Sequence, residues 1–155
     1  PGSAARMLRQ DAPVALASGD QLPPVVQRSD LAQWPVQLHL VPARAPFFAG
    51  KELVVLSTCA PVASADVHWR FLRGRACVVA CPKLDRTDPD VEKLAAIFAG
   101  NDIPKVQVVR MAVPCCGGLS RMTMMAKQLS CRPDLLVEEV VVGVDGSVQM
   151  TRELA

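Results

Sequence analysis

Four cysteines stand just past apolar, β-branched runs: Cys59 after Leu53 to Leu56, Cys81 after Ala76 to Ala80, and the pair Cys115-Cys116 after Val106 to Met111. A short apolar run rich in Val and Leu reads as a buried strand, and Pro114 stops the last of them. Behind the pair come Gly117 and Gly118, then Leu119 to Leu129 at helical spacing. A thiol-bearing turn that opens a helix favours anions and thiolates electrostatically. Thiolate sulfur is a soft ligand, and four together suit an iron-sulfur cluster, a zinc ion or copper. The separations are unlike zinc fingers or ribbons, whose ligands come in close C-x2-C pairs. They fit ligands collected from successive strand-to-helix loops, which share one edge of a parallel sheet.

A second chemistry competes for the same turn. Cys115 and Arg121 are spaced C-x5-R across a strand, loop and helix. Cysteine phosphatases and arsenate reductases use that arrangement, backbone amides and Arg cradling an oxyanion while the thiolate attacks. Asp85 would then be the general acid. This thiol-based reductase or phosphatase reading leaves Cys59, Cys81 and Cys116 without a role. Lys83, near the same edge, would offset thiolate charge and favour the ionised form; Arg121 would do the same or bind an anion. Both are also ordinary surface charges. Cys77 lies inside a strand and reads as a small buried hydrophobe, and Cys131 follows the helix as a spare thiol. Met122, Met124 and Met125 are expected to line a helix-sheet core rather than to bind copper.

Elements must position these residues, and the chain supplies them in alternation. Strands are expected at Leu53 to Leu56, Ala76 to Ala80, Val106 to Met111 and Val137 to Val144, with helices at Ala63 to Leu72, Asp88 or Pro89 to Gly100, and, after the Cys-Cys-Gly-Gly turn, Leu119 to about Ser130. Asp145-Gly146 makes a hairpin turn into Ser147 to Thr151. Alternation with short connections argues an α/β domain, with a mostly parallel four-to-five-stranded sheet and flanking helices of Rossmann-like kind. Before it, Val36, Leu38 and Leu40 alternate with Gln37 and His39, reading as a strand with His39 on its wet face. Phe47 and Phe48 are expected to anchor the chain where it enters the sheet. Residues 1–30, with Pro13, Pro23 and Pro24, read as an extended or disordered leader, and 31–155 as the single domain.

Composition excludes several classes. The 155 residues are 50% hydrophobic, which suits one domain with its own core. A net charge of +2, 4% aromatics and no Tyr argue against nucleic acid. No apolar run approaches the roughly 18 residues of a membrane helix, and the first residues lack the long apolar segment of a secretory signal. The expectation is a cytoplasmic protein with no membrane partner. Six cysteines in such a chain point to metal or redox chemistry before disulfides. Adjacent Cys115 and Cys116 suit a mutual bridge poorly, because it would distort the backbone.

Gln33-Trp34-Pro35-Val36-Gln37-Leu38-His39-Leu40-Val41, Pro46-Phe47-Phe48, Cys81-Pro82-Lys83-Leu84-Asp85 and Val113-Pro114-Cys115-Cys116-Gly117-Gly118-Leu119 occur in that order. Together they resemble the C-terminal region of a family of ferredoxin-like 4Fe-4S proteins, found largely in anaerobic bacteria and archaea. The resemblance runs from about residue 31 to 147. It implies iron-sulfur association, electron transfer, and a redox partner or ferredoxin module, upstream on the same polypeptide in family members. Pro1-Gly2-Ser3 resembles the family's Cys-Pro-Gly-Ser connection without its Cys; the alternative is a tag remnant. Thr58 stands where family members often carry an acidic residue. The Cys-Cys-Gly element also resembles the cysteine-rich domains of heterodisulfide reductase, which bind unusual iron-sulfur clusters. Three readings follow: a metal or metal-sulfur centre held by Cys59, Cys81, Cys115 and Cys116; a thiol enzyme built on Cys115 and Arg121; and a domain that docks to a redox partner.

Overall fold

The structure is a computed structural model that describes residues 6–7 and 28–155. Seven strands appear among them: β1 (Arg6–Met7), β2 (Gln33–Trp34), β3 (Leu53–Ser57), β4 (Ala76–Ala80), β5 (Lys105–Met111), β6 (Leu136–Val142) and β7 (Val148–Leu154). The α-helices are α1 (Ala60–Ala63), α2 (Thr87–Gly100) and α3 (Gly117–Leu129). The last five strands form one sheet in the order β4-β3-β5-β6-β7, parallel except for the antiparallel β7. β3 to β6 are apolar nearly throughout because both faces of the sheet are covered. On one face Val55, Val78, Val108 and Val137 pack against α2 and α3 through Leu94, Phe98, Leu119 and Met122. On the other, Val54, Leu56, Val109 and Val142 meet Ala60, Val67 and Phe71.

The chain leaves β3 to form β4 on one side, then crosses back to form β5 on the other. The direction of travel therefore reverses between β3 and β5, and at such a switch point the following loops part and open a crevice. Cys59 follows the first of these strands and Cys115-Cys116 the second.

The four expected sheet strands, the second and third helices and the final hairpin all form. At the hairpin Gly143 N–H donates to Ser147 O at 2.8 Å, and Gly146 takes φ +83°. Phe47 and Phe48 are buried together with ring centroids 4.7 Å apart, as an anchor should be. Two expected elements differ. The helix over 63–72 is replaced by the four-residue α1 and a π-helical turn at His68–Leu72. Ser64 is extended, and its hydroxyl binds Asp66 at 2.8 Å, so side chains compete with the helix at that break.

The strand over 36–40 is reduced to one bridge, Gln37 to Val79. Leu38 N–H donates to Val79 O and Val79 N–H to Val36 O. The carbonyl of Gln37 then accepts from both Leu40 and Val41, turning the chain away. His39 is exposed, in line with its expected outward face. Most of residues 1–30 lie outside the described residues; within that stretch Arg6–Met7 pair antiparallel with Gln33–Trp34. No helix among the described residues is long and apolar enough to cross a membrane.

The thiol edge as a candidate functional site

All six cysteines are free thiols. Cys59 is exposed and sits directly before α1. Cys81 is half-buried and begins a tight turn in which its carbonyl accepts from Leu84 and Asp85. The Cys81 N–H donates to Asp85 Oδ2 at 2.6 Å, so Asp85 closes the Cys81 turn. Cys115 is exposed and Cys116 buried in a 3-10 turn, Pro114–Cys116, that runs straight into α3. Pro114 opens that turn and Gly117-Gly118 follow it, so the local sequence permits two thiols at the mouth of a helix.

Two neighbouring thiols bear on Cys116. Burial pushes the Cys116 thiol above its ordinary range, partly opposed by a hydrogen bond with the Met111 backbone. Charge at Cys115, a hydrogen bond with its side chain, and charge at Cys59 push it further in the same direction. Cys81 reaches the same edge through its neighbour. A Cβ on Gly118 would lie 2.9 Å from Pro82 Cβ, so the Cys81-Pro82 turn rests against the first turn of α3. Only a glycine allows that approach. Nearby, at the carboxyl end of β3, the Ser57 hydroxyl is buried with no hydrogen-bond partner among the described residues. A buried hydroxyl of that kind is a donor in reserve.

The donor set tests the expected ligands. Among the described residues, no group of three or more His, Cys, Asp or Glu side chains could hold a metal ion. A ready cage for a single zinc or copper ion is therefore absent among them. A cluster places metal and sulfide between its cysteine sulfurs, so it needs thiols spread wider than a single ion does. Cys59, Cys81, Cys115 and Cys116 follow three adjacent strand ends, with the unpaired Ser57 hydroxyl at the first of them.

Cys77 is buried in β4, and burial pushes its thiol up to about 12, so it behaves as a hydrophobe. Cys131 follows the far end of α3, away from the pair. Met122 is buried in the core and Met124 packs on it, whereas Met125 is exposed rather than core. Lys83 is exposed on the Cys81 turn, and Arg121 lines a cavity beside the start of α3. That cavity also holds Pro114 and Gly117 but not Cys115.

The sequence reading missed a charged cluster beside the turn. Glu139, buried in β6, accepts from Arg110 Nε at 2.7 Å, Arg152 Nε at 2.7 Å and Ser120 Oγ at 2.5 Å. Burial raises its pKa, but these three donors outweigh it and hold the carboxyl down to about 2. A signal existed: Arg110 and Glu139 interrupt otherwise apolar strands, where a charge needs a partner.

Comparison with known proteins adds a family and a relative. A family described as a Rossmann-like domain matches residues 45–155. An uncharacterised protein of Archaeoglobus fulgidus is 33% identical over 120 residues, covering 77% of this chain and 84% of the relative. No solved structure matches.

Proposed function

Since the chain belongs to the Rossmann-like domain family, we propose that it uses the ligand edge of that fold to hold a metal-sulfur centre through Cys59, Cys81, Cys115 and Cys116. The centre is an iron-sulfur cluster of the ferredoxin-like 4Fe-4S kind, and its use is electron transfer or metal handling. One observation carries the reading. Three adjacent parallel strands are followed by thiols around the switch point where the loops after β3 and β5 part. Bound there, the cluster would supply a one-electron store. The protein's own contribution is to present thiolates, to keep Cys116 out of water and to offer the Ser57 hydroxyl.

A redox protein or ferredoxin module is the partner this reading requires. Leu84 and Val62 support it: they are 80% and 90% exposed on the segments that follow Cys81 and Cys59. Apolar side chains left in water beside the centre suit a docking face. Free thiols in this number suit a reducing, cytoplasmic setting.

The test is metal and acid-labile sulfide content, with a visible spectrum, on protein purified without oxygen. Iron with sulfide that disappears in Cys81→Ser and Cys116→Ser is the expected result. Stoichiometric zinc or copper without sulfide would replace the cluster with a single-ion site. Protein that stays colourless and metal-free after anaerobic reconstitution would overturn the reading.

A further inference from the structure

Beside the thiol edge, between the first turns of α3 and the last two strands, lies an open cavity of about 440 Å³. Arg110, Arg121, Arg152, Ser120, Gly117 and Glu139 face it. Three guanidinium groups and one carboxylate thus line one cavity. Glu139 engages Arg110 and Arg152 each through Nε. Arg110 spends one terminal nitrogen on the Met111 carbonyl at 3.2 Å. Its other terminal nitrogen, and both of those on Arg152, make no hydrogen bond among the described residues. Arg121 is exposed and has no carboxylate partner among them.

Stability alone does not call for this arrangement. One arginine would satisfy a buried Glu139, and further cations on the same small cavity repel one another. The buried carboxylate fixes Arg110 and Arg152 in place, so their planar forks are held ready before anything binds. Guanidinium forks match the oxygens of phosphate and carboxylate bidentately. The 13-residue α3 starts at Gly117 on the cavity wall, and its N-terminal field has the same sign.

We propose that this cavity is a binding site for the oxyanion group of a small ligand, a phosphate or a carboxylate, recognised by Arg121, Arg152 and Arg110. The site does not depend on a metal centre. Its position next to Pro114 and Gly117 would hold the ligand beside the Cys115-Cys116 turn.

The experiment titrates the full chain with inorganic phosphate and, separately, succinate at constant ionic strength. It follows backbone amide shifts of residues 115–121 and 152–154 by NMR. Saturable shifts centred there are expected, with at least a tenfold weaker dissociation constant in Arg121→Ala and in Arg152→Ala. Tighter binding of phosphate identifies a phosphoryl ligand, and tighter binding of succinate a carboxylate ligand. Arg121→Lys keeps the charge without the fork and should restore only part of the affinity. Shifts absent at 50-fold molar excess of either anion, or unchanged in both Ala variants, would overturn the proposal. The Arg121 variants also guard against misfolding, because that exposed side chain carries none of the Glu139 contacts.

Discussion

At the scale of single residues, the six cysteines share one element but have very different environments. Cys59, Cys115 and Cys131 are exposed, Cys116 is buried at the site, and Cys77 is buried in a strand. Nucleophilic attack needs a thiolate that a reagent can reach. Brief iodoacetamide treatment of metal-free protein should therefore modify Cys115 and Cys59 well before Cys116. Cys77 should react only after unfolding, and peptide mass spectrometry reads the order directly. Glu139 and Asp90 set opposite pH dependences. Because three donors hold Glu139 at about 2, against an ordinary 4.5, its stabilisation is complete above about pH 4.5. It is lost as the pH falls from there toward 2, since the unfolded chain takes up the proton first. Glu139→Gln should flatten that acid limb and cost about 3 kcal/mol in urea unfolding at pH 7, because Arg110 is left without its partner. Asp90 is buried with Oδ2 unpaired, and burial, then the charge of Asp85, raise its pKa against the pull of His39 and Lys93. Its folded form binds the proton more tightly, so stability declines as the pH rises from 3.8 through the raised value. Asp90→Asn should stabilise the protein at pH 7 by about 1 kcal/mol.

At the scale of elements, strand ends matter more than strands. The Cys81 turn and the start of α3 approach closely where Pro82 meets Gly118. Gly118→Ala puts a methyl 2.9 Å from a rigid Pro82 ring. The turn must then retreat, costing about 1–2 kcal/mol of stability as overpacking does. If the proposed centre exists, iron retained after reconstitution should fall by more than the loss of folded protein, as metal analysis on the monodisperse fraction would show. The same scale explains what the sequence reveals and what it conceals. Leu53 to Leu56 and Ala76 to Ala80 are legible as strands because burial on both faces demands continuous apolar residues. Cys59, Cys81 and Cys115 are legible as residues of one sheet edge because parallel strands share an end. The break at Ser64 is not legible, since it turns on a hydroxyl choosing Asp66 over the helix. Of the Glu139 cluster, only the need of Arg110 and Glu139 for partners is legible, because cross-strand register is what places Arg152 opposite Glu139. The alternation of residues 36–40 misleads, because its apolar positions serve one bridge and then a turn.

At the scale of the whole molecule, the sheet has two rims with unlike treatment. β4 would expose its backbone, but the buried side chain of Gln33 lies along it. Cys77 N–H donates to Gln33 Oε1 at 3.1 Å, and Gln33 Nε2 donates back to the Cys77 carbonyl. One amide side chain thus stands in for a paired strand, and the Gln37 bridge continues the cover. Gln33→Ala would strand both groups of Cys77 and should cost about 2 kcal/mol. Thermal unfolding measures the loss, and faster hydrogen exchange at the Cys77 amide locates it. The opposite rim, β7, has no neighbouring strand among the described residues. The difference has a geometric consequence. A body with two sticky rims can add copies without end, as fibres do, whereas a body with one can join a single twin and is then complete. By capping β4 with an amide, the chain leaves β7 as the uncovered rim of the five-stranded sheet among the described residues, and pairing through that one rim closes as a two-fold pair.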